Sequence, residues 1–302
     1  MTRPIALLLL SSVLAACAPD DTTPAPIVLT DGLGREVTLA APAARVVSLA
    51  PSNTELLYEV GAGAQVVGCD EFSDFPAEAS ALPRVGGSAG TYDADAIVAL
   101  APNLVLAAEI NTAAQVEALE ARGLTVFYLS NPDDLTGLFE NMRTVGALTG
   151  RSAQATALIS SLTTRVEAII AKLSMITTHY NVYCELDATD PTMPYTAGPG
   201  SYIHTLLERA GDHNIGGSLS VPFGQLSAAE IIAQNPDFIV LGDGAYGVTP
   251  ESVGARPGWS DLNAVRDGHV VVFDNDTVSR PTARIVDAIE NLARLFHPEV
   301  FP

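Results

Sequence analysis

The chain has 302 residues, 48% hydrophobic and 17% charged, which suits one large or two ordinary globular domains and rules out disorder for most of its length. Asp and Glu outnumber Lys and Arg by 35 to 15, and a net charge of −20 argues against a nucleic-acid partner, since phosphate binding needs a basic face. Three cysteines without a Cys-x-x-Cys pair supply neither a disulfide scaffold nor a thiolate zinc site.

Arg3 precedes an apolar run from Ile5 to Leu14, interrupted only by Ser11 and Ser12, and Ala15-Ala16-Cys17 follows. A bilayer-spanning helix needs ~20 apolar residues, so the run reads as the core of an export signal over residues 1–16. Small residues before a Cys resemble the lipobox of bacterial lipoproteins. That resemblance implies acylation of Cys17 and a domain held on a membrane by lipid alone. Residues 17–26, polar and Pro-rich, read as the lipidated Cys and a flexible tether. Ile27–Thr30 and Arg35–Leu39 flank Asp31-Gly-Leu-Gly34 as a β-hairpin.

From Arg45 onward strands alternate with helices. Val46–Leu49 is a strand, and a helix opens at Pro51 with Ser52, Asn53 or Thr54 as N-cap. Val66-Val67 leads into another strand. Ala94–Leu100 is a helix closed by Pro102, followed by the strand Leu104–Ala108. Ala113–Arg122 is a helix ended by Gly123, with a further strand at Leu124–Tyr128. Such alternation implies parallel pairing. Residues 151–173 contain neither Gly nor Pro and repeat Leu158, Leu162, Val166, Ile169, Ile170 and Leu173 near helical spacing, a rod of roughly 34 Å. Strand–helix alternation resumes at Tyr180.

Two blocks echo one another. Asp95-Ala-Ile-Val-Ala-Leu-Ala-Pro102-Asn-Leu-Val-Leu and Glu230-Ile-Ile-Ala-Gln-Asn-Pro236-Asp-Phe-Ile-Val-Leu share an acidic helix start, a Pro stop and an apolar strand. The prolines lie 236 − 102 = 134 residues apart, with the long helix between them. The expected fold is therefore α/β, with two lobes, residues 27–150 and 176–302, each a mainly parallel sheet flanked by helices. One long backbone helix, residues 151–175, joins them and leaves a ligand cleft between the lobes.

Gly86-Gly-Ser88-Ala-Gly90 matches Gly-x-Ser-x-Gly, the basis for an alternative as an exported serine hydrolase using Ser88. A nucleophile elbow needs a strand before it, and Leu82-Pro83-Arg84-Val85 is a poor one, so a Gly-rich loop at the cleft rim is the simpler account. The five histidines (179, 204, 213, 269 and 297) are scattered, with no pair at metal-ligand spacing. Neither an enzyme, a resident metal nor a cofactor is expected.

Further blocks carry a family resemblance: Arg45-Val-Val-Ser-Leu-Ala-Pro-Ser-Asn-Thr-Glu-Leu, Val67-Gly-Cys-Asp-Glu-Phe-Ser-Asp-Phe-Pro and Pro257-Gly-Trp-Ser-Asp-Leu-Asn-Ala-Val-Arg-Asp-Gly-His. With the export signal and the paired blocks, the chain resembles the periplasmic substrate-binding lipoproteins of cobalamin, siderophore and haem ABC importers, over about residues 27–302. The Phe72-Ser-Asp-Phe-Pro76 block is closest to the cobalamin-binding branch. The resemblance implies a monomer that captures a corrinoid, a metal chelate carried as cargo, and delivers it to an ABC permease dimer. A ferric siderophore or haem is the alternative cargo.

Carried over residue by residue, the resemblance implies that Pro51, Ser52 and Asn53 offer a helix N-terminus to the ligand. Phe72, Tyr195 and Phe223 would offer flat apolar faces, and Asp276 and Arg280 polar contacts. Gly90 and Tyr92, at the cleft rim, complete the lining; Tyr92, Tyr195 or His204 are conceivable axial ligands for haem. Two large cleft aromatics of the cobalamin branch are replaced here by Gly87-Ser-Ala-Gly90 and the Ala107–Glu109 region, while Trp259, the chain's one Trp, falls in a structural block. The family docks one acidic residue per lobe onto permease arginines. Asp95 holds the first position, and Glu230 lies one residue beyond the second, where Ala229 stands. Cys69 and Cys184, one per lobe, are expected as free thiols, since a bond across the cleft would lock it.

Overall fold

Alternating apolar residues set the architecture. In the computed structural model residues 25–87, 90–273, 277 and 280–301 are described. The signal segment 1–16, Cys17, the tether up to residue 24, Ser88 and Asp276 lie outside the described residues. Strands β1 (Ile27–Thr30) and β2 (Glu36–Leu39) form the antiparallel hairpin, its turn closed by Asp31, whose carboxylate accepts from the amides of Leu33 and Arg35.

The first parallel sheet comprises β3 (Val46–Ser48), β4 (Val66–Cys69), β5 (Leu104–Ala108) and β6 (Val126–Leu129), in the order β4-β3-β5-β6. It is flanked by α1 (Pro51–Glu59), α2 (Ala94–Ala99), α3 (Ala113–Glu120) and α4 (Leu135–Thr149). Helix α5 (Ser152–Leu173) follows, and β7 (Asn181–Glu185) begins the second sheet. Here β8 (Tyr195–Ala197) and β10 (Phe223–Gln225) form a separate antiparallel ribbon. The parallel strands β7, β9 (His213–Asn214), β11 (Phe238–Leu241) and β12 (Val270–Val272) pair in the order β12-β11-β7-β9. Helices α6 (Tyr202–Arg209), α7 (Ala228–Gln234), α8 (Pro250–Gly254), α9 (Asn263–Arg266) and α10 (Arg284–Phe296) complete the lobe.

With the ribbon set aside, each sheet places its second strand outside its first, then adds the third and fourth on the other side. The two α/β lobes thus repeat one topology, and the paired sequence blocks occupy equivalent places: α2 feeds β5, and α7 feeds β11.

Side chains along a buried strand alternate between faces. Val47, Val105 and Ala107 pack beneath α2 and α3 in a core of their own; Tyr183, Ile239 and Leu241 do the same with Trp259 in the second lobe. The opposite faces do not form separate cores. Val46, Leu104 and Leu106 of one sheet, and Val182, Cys184, Phe238 and Val240 of the other, join one continuous cluster through α4, α5 and α10. Helix α5 buries Ala155, Ile159, Leu162, Val166 and Ile169 in that cluster. The stripe expected from sequence is rotated: Leu158 and Leu173 are only partly buried and Ile170 is exposed. The reason is that α4 and α10 pack on a seam spaced alternately four and three residues apart, narrower than the full apolar face.

Ala101 and Asn235, both just before the prolines that stop α2 and α7, are the described non-glycine residues with positive φ, at 46° and 44°. Asn tolerates this left-handed conformation and Ala does not. Ala101→Asn, at an exposed site, should raise stability by about 0.5–1 kcal/mol and the thermal midpoint by about 1–3 °C; calorimetry checks this.

Candidate ligand-binding site

In open parallel sheets a crevice forms outside the carboxyl ends of the strands, where successive connections leave in opposite directions. That point lies between β3 and β5 in the first lobe and between β7 and β11 in the second. A cavity occurs at each. The first, about 280 Å³, is lined by Ala50, Pro51 and Ser52 after β3, Ala108 and Ile110 after β5, Asn131 after β6, and by Phe72, Arg280 and Pro281. Arg280 and Pro281 come from the segment between β12 and α10, so this cavity opens between the lobes. The second, about 500 Å³, is lined by Leu186, Asp187, Ala188 and Thr189 after β7 and by Asp243, Tyr246 and Val248 after β11.

Helix α1 opens at Pro51, as the sequence suggests, but none of the three expected residues caps it. Ala50 is the N-cap, with no side-chain cap, and Pro51 takes the first helical position because its missing N–H costs nothing there. Ser52 and Asn53 therefore lie within the first turn, whose amides have no partner inside the helix. Thr54 is not a cap either. Its hydroxyl is buried, bonded to Ser48 (2.8 Å) and Ser73 (2.7 Å), and pins the helix to β3. Pro51 and Ser52 face the cavity, whereas Asn53 is buried behind it, its amide donating to the Leu106 carbonyl at 3.2 Å.

The aromatic candidates are on the surface. Phe72 is 56% exposed on the wall of the first cavity, and Phe223 is 50% exposed on the ribbon. Tyr195, exposed as well, pairs with Gln225 while Phe223 pairs with Ala197, so both rings share one face of the ribbon. Tyr195 also bridges to Asp187, on the wall of the second cavity. Tyr246 was not anticipated. It is a highly exposed ring in the turn after β11, and an aromatic just past a parallel strand's carboxyl end was the available signal. Gly90 and Tyr92 line a different depression beside α3, and the Tyr92 hydroxyl donates to the Leu49 carbonyl (2.9 Å) and accepts from Asn111 (2.7 Å). His204 is likewise occupied, its Nδ1 lying 3.2 Å from the Asn214 amide.

Arg280 does more than line the cleft. Its guanidinium donates to Glu55 at 2.9 Å and Asp74 at 2.7 Å, both in the first lobe. Glu55, fully buried on α1, also accepts from Thr282 (3.2 Å) and Arg284 (3.3 Å), and Arg284 lies over the Phe75 ring at 4.5 Å. Glu59, one turn on, accepts the Ala283 amide with both oxygens (3.1 and 3.0 Å) and so caps α10 from across the lobe boundary. These bonds clamp the lobes beside the cavity. Sequence gave no sign of the two glutamates' role, because their partners lie more than 200 positions away.

The docking candidates occupy the helices that carry the sequence echo. Asp95 is in the first turn of α2, after the N-cap Asp93, and pairs with Arg122 while its side chain stays 83% exposed. Glu230 closes a capping box on α7, its carboxylate accepting from the Ser227 amide (2.8 Å) and hydroxyl (2.7 Å), bonds that lower its pKa. Cys69 and Cys184 are buried free thiols, and burial pushes Cys184 up to about 12.

Residues 46–277 match the family model described as periplasmic binding protein. The chain belongs to that family. This periplasmic binding protein is 29% identical to the uncharacterized ABC transporter substrate-binding lipoprotein YvrC of Bacillus subtilis, over 98% of the chain and 96% of the relative. It is 32% identical to the cobalamin-binding protein of Halobacterium salinarum, over 90% of the chain and 74% of the relative. Among solved structures it resembles a possible iron-binding (periplasmic solute-binding) protein of Staphylococcus epidermidis, with a TM-score of 0.75, 25% identity, and 85% of this chain and all of that one covered. The family consists of extracytoplasmic solute-binding proteins that serve ABC importers, so a small-molecule cargo and a permease partner follow. No helix among the described residues is long and apolar enough to cross a membrane.

Burial holds the Glu59 carboxyl at about 7, opposed by the Ala283 amide and reinforced by the charge on Glu55. Between pH 4.5 and about 7 the folded protein keeps a proton that the unfolded chain has lost, so stability falls as pH rises through that window. Because the side chain is only partly covered, the loss is ~1–2 kcal/mol. Glu59→Gln should remove most of that slope in denaturant titrations at pH 5 and 8. A smaller slope of the same sign should persist from Asp243, raised to about 6 by burial and by Glu185.

Proposed function

We propose that this protein captures a corrinoid in the cleft between its lobes and delivers it to the permease dimer of an ABC importer, working as a monomer held outside the cell membrane by lipid on Cys17. The observation that carries the reading is the character of the two switch-point cavities. Exposed rings of Phe72, Tyr195, Phe223 and Tyr246 stand on or beside them, and among the described lining residues Arg280 is the one cation, already bound to Glu55 and Asp74. A corrin is a broad, partly apolar ring carrying neutral amides, which suits aromatic walls and scattered hydrogen bonds. Anionic ferric siderophores and the propionates of haem call for uncompensated positive charge, and this cleft is rimmed by Asp187 and Asp243 within a protein of net charge −20. The relative from Halobacterium salinarum, named for cobalamin, supports the same reading. Ser88 as a nucleophile has no support from a family of solute-binding proteins.

Calorimetric titration with cyanocobalamin, and with a ferric hydroxamate as the contrast, tests this. Binding of the corrinoid at micromolar or tighter affinity is expected. Silence at tens of micromolar alongside binding of the ferric chelate would transfer the function to iron. Phe72→Ala and Phe223→Ala, each removing a half-exposed ring and leaving the fold intact, should each weaken corrinoid binding by about tenfold.

For delivery, we assign Asp95 and Glu230 as the acidic contacts to the permease, one on the equivalent helix of each lobe. Asp95→Arg should leave corrinoid affinity unchanged and lower binding-protein-stimulated ATP hydrolysis by the reconstituted importer several-fold; equal stimulation by both proteins would remove Asp95 from the interface.

A further inference from the structure

Asp74 stands two residues beyond Phe72 on the loop after β4, and it accepts a hydrogen bond from Arg280 across the lobe boundary at 2.7 Å. The same guanidinium nitrogen donates to Glu55 at 2.9 Å. The two carboxylates are placed very differently. Glu55 is fully buried and shared with Thr282 and Arg284, whereas the Asp74 side chain is 62% exposed, next to an arginine that lines the first cavity. Against the cost of partial burial, the bond from Arg280 holds the Asp74 carboxyl below its ordinary value, so it is charged at neutral pH.

The loop is braced without this ion pair. The Asp70 carboxylate accepts from the Phe72 amide (3.0 Å) and the Ser73 hydroxyl. Ser73 also bonds Thr54 on α1 at 2.7 Å, and Arg84 donates to the carbonyls of Asp70 (2.8 Å) and Ser73 (2.7 Å). Nor does burial of Arg280 require Asp74, because Glu55 already meets it from the interior. What Asp74 adds is charge. Glu55 balances one of the two arginines around it, Arg280 and Arg284, and Asp70 is matched by Arg84. Glu59 does not make up the difference, since burial holds its carboxyl at about 7 and its oxygens serve the Ala283 amide. Removing Asp74 would leave the wall beside Phe72 with positive charge to offer a ligand.

We propose that Asp74 is a specificity-determining residue: it neutralises Arg280 at the cleft and so excludes anionic chelates that the arginine would otherwise attract. A carboxylate or catecholate entering the first cavity must displace Asp74 from Arg280 or lie against its charge, at a site partly shielded from water. A neutral ligand face meets no such barrier, and the Phe72 ring on the same loop remains available to it. The inference rests on the interlobe cleft of the reading above as the binding site, whichever neutral chelate fills it.

Wild type, Asp74→Asn and Asp74→Ala are titrated by calorimetry at pH 7.5 with cyanocobalamin and ferrichrome, both electroneutral, and with ferric enterobactin, a trianion. Thermal midpoints, expected within about 3 °C of wild type for a half-exposed pair, show that each variant is folded. Wild type should bind a neutral probe at least about tenfold more tightly than the trianion. Each variant should shift the ratio of trianion to neutral-probe affinity about tenfold toward the trianion. Raising NaCl from about 0.05 to about 0.5 M should remove most of that gain, which loosened packing would not explain. An unchanged ratio in both variants, with cyanocobalamin bound, overturns the role of Asp74 and leaves the corrinoid function standing. Wild-type binding of ferrichrome without cyanocobalamin, together with the shifted ratio, overturns the corrinoid and keeps Asp74. A wild type that prefers the trianion overturns both.

Discussion

The structure depends on one shared apolar core. Each parallel sheet buries one face against its own helices, but the other faces meet through α4, α5 and α10, so that Val46, Leu104 and Phe127 belong to the same cluster as Val182, Phe238 and Phe296. A close-packed interior deforms little, so two sheets welded to common helices cannot swing apart about a flexible strap. The cleft above that core is held at nearly fixed width, which suits a carrier that meets a large, rigid ligand.

Polar contacts finish what the core begins. Glu55 sits fully buried at the lobe boundary with Arg280, Thr282 and Arg284 around it, and Glu59 supplies the missing cap of α10. A buried charge of this kind gives more orientation than stability: removing one partner strands the others, so the lobes are registered against each other at one place. The same clamp sets the electrostatics of the cleft. By drawing Arg280 into the boundary it leaves the aromatic walls with little positive charge, and in the second lobe the Glu185–Arg256 pair does likewise.

Much of the fold was legible in the chain because its causes are local. Strand–helix alternation, prolines at 102 and 236, and an unbroken apolar helix between the lobes each act through neighbouring residues, and β5, β11 and α5 fall where those signals put them. The helix start at Pro51 was legible, but its N-cap was misplaced because Ser52, Asn53 and Thr54 are all good caps in isolation, whereas Ala50 holds that place and Thr54 is buried against Ser48 and Ser73. The buried stripe of α5 was rotated for a related reason: periodicity marks which residues are apolar, whereas the neighbouring helices select which of them are covered.

The sequence by itself determined the class of the molecule: an acidic α/β protein of two repeated lobes, with aromatic residues such as Phe72 and Phe223 flanked by turn residues that keep them at the surface. Only the tertiary structure decided how charge is spent. Arg280 and Glu55 are 225 positions apart, and Tyr92 and Leu49 are 43 apart, so no local pattern reports that one cation is neutralised and one phenol occupied. Pairing of side chains far apart in the chain is fixed by packing, which only the folded structure supplies.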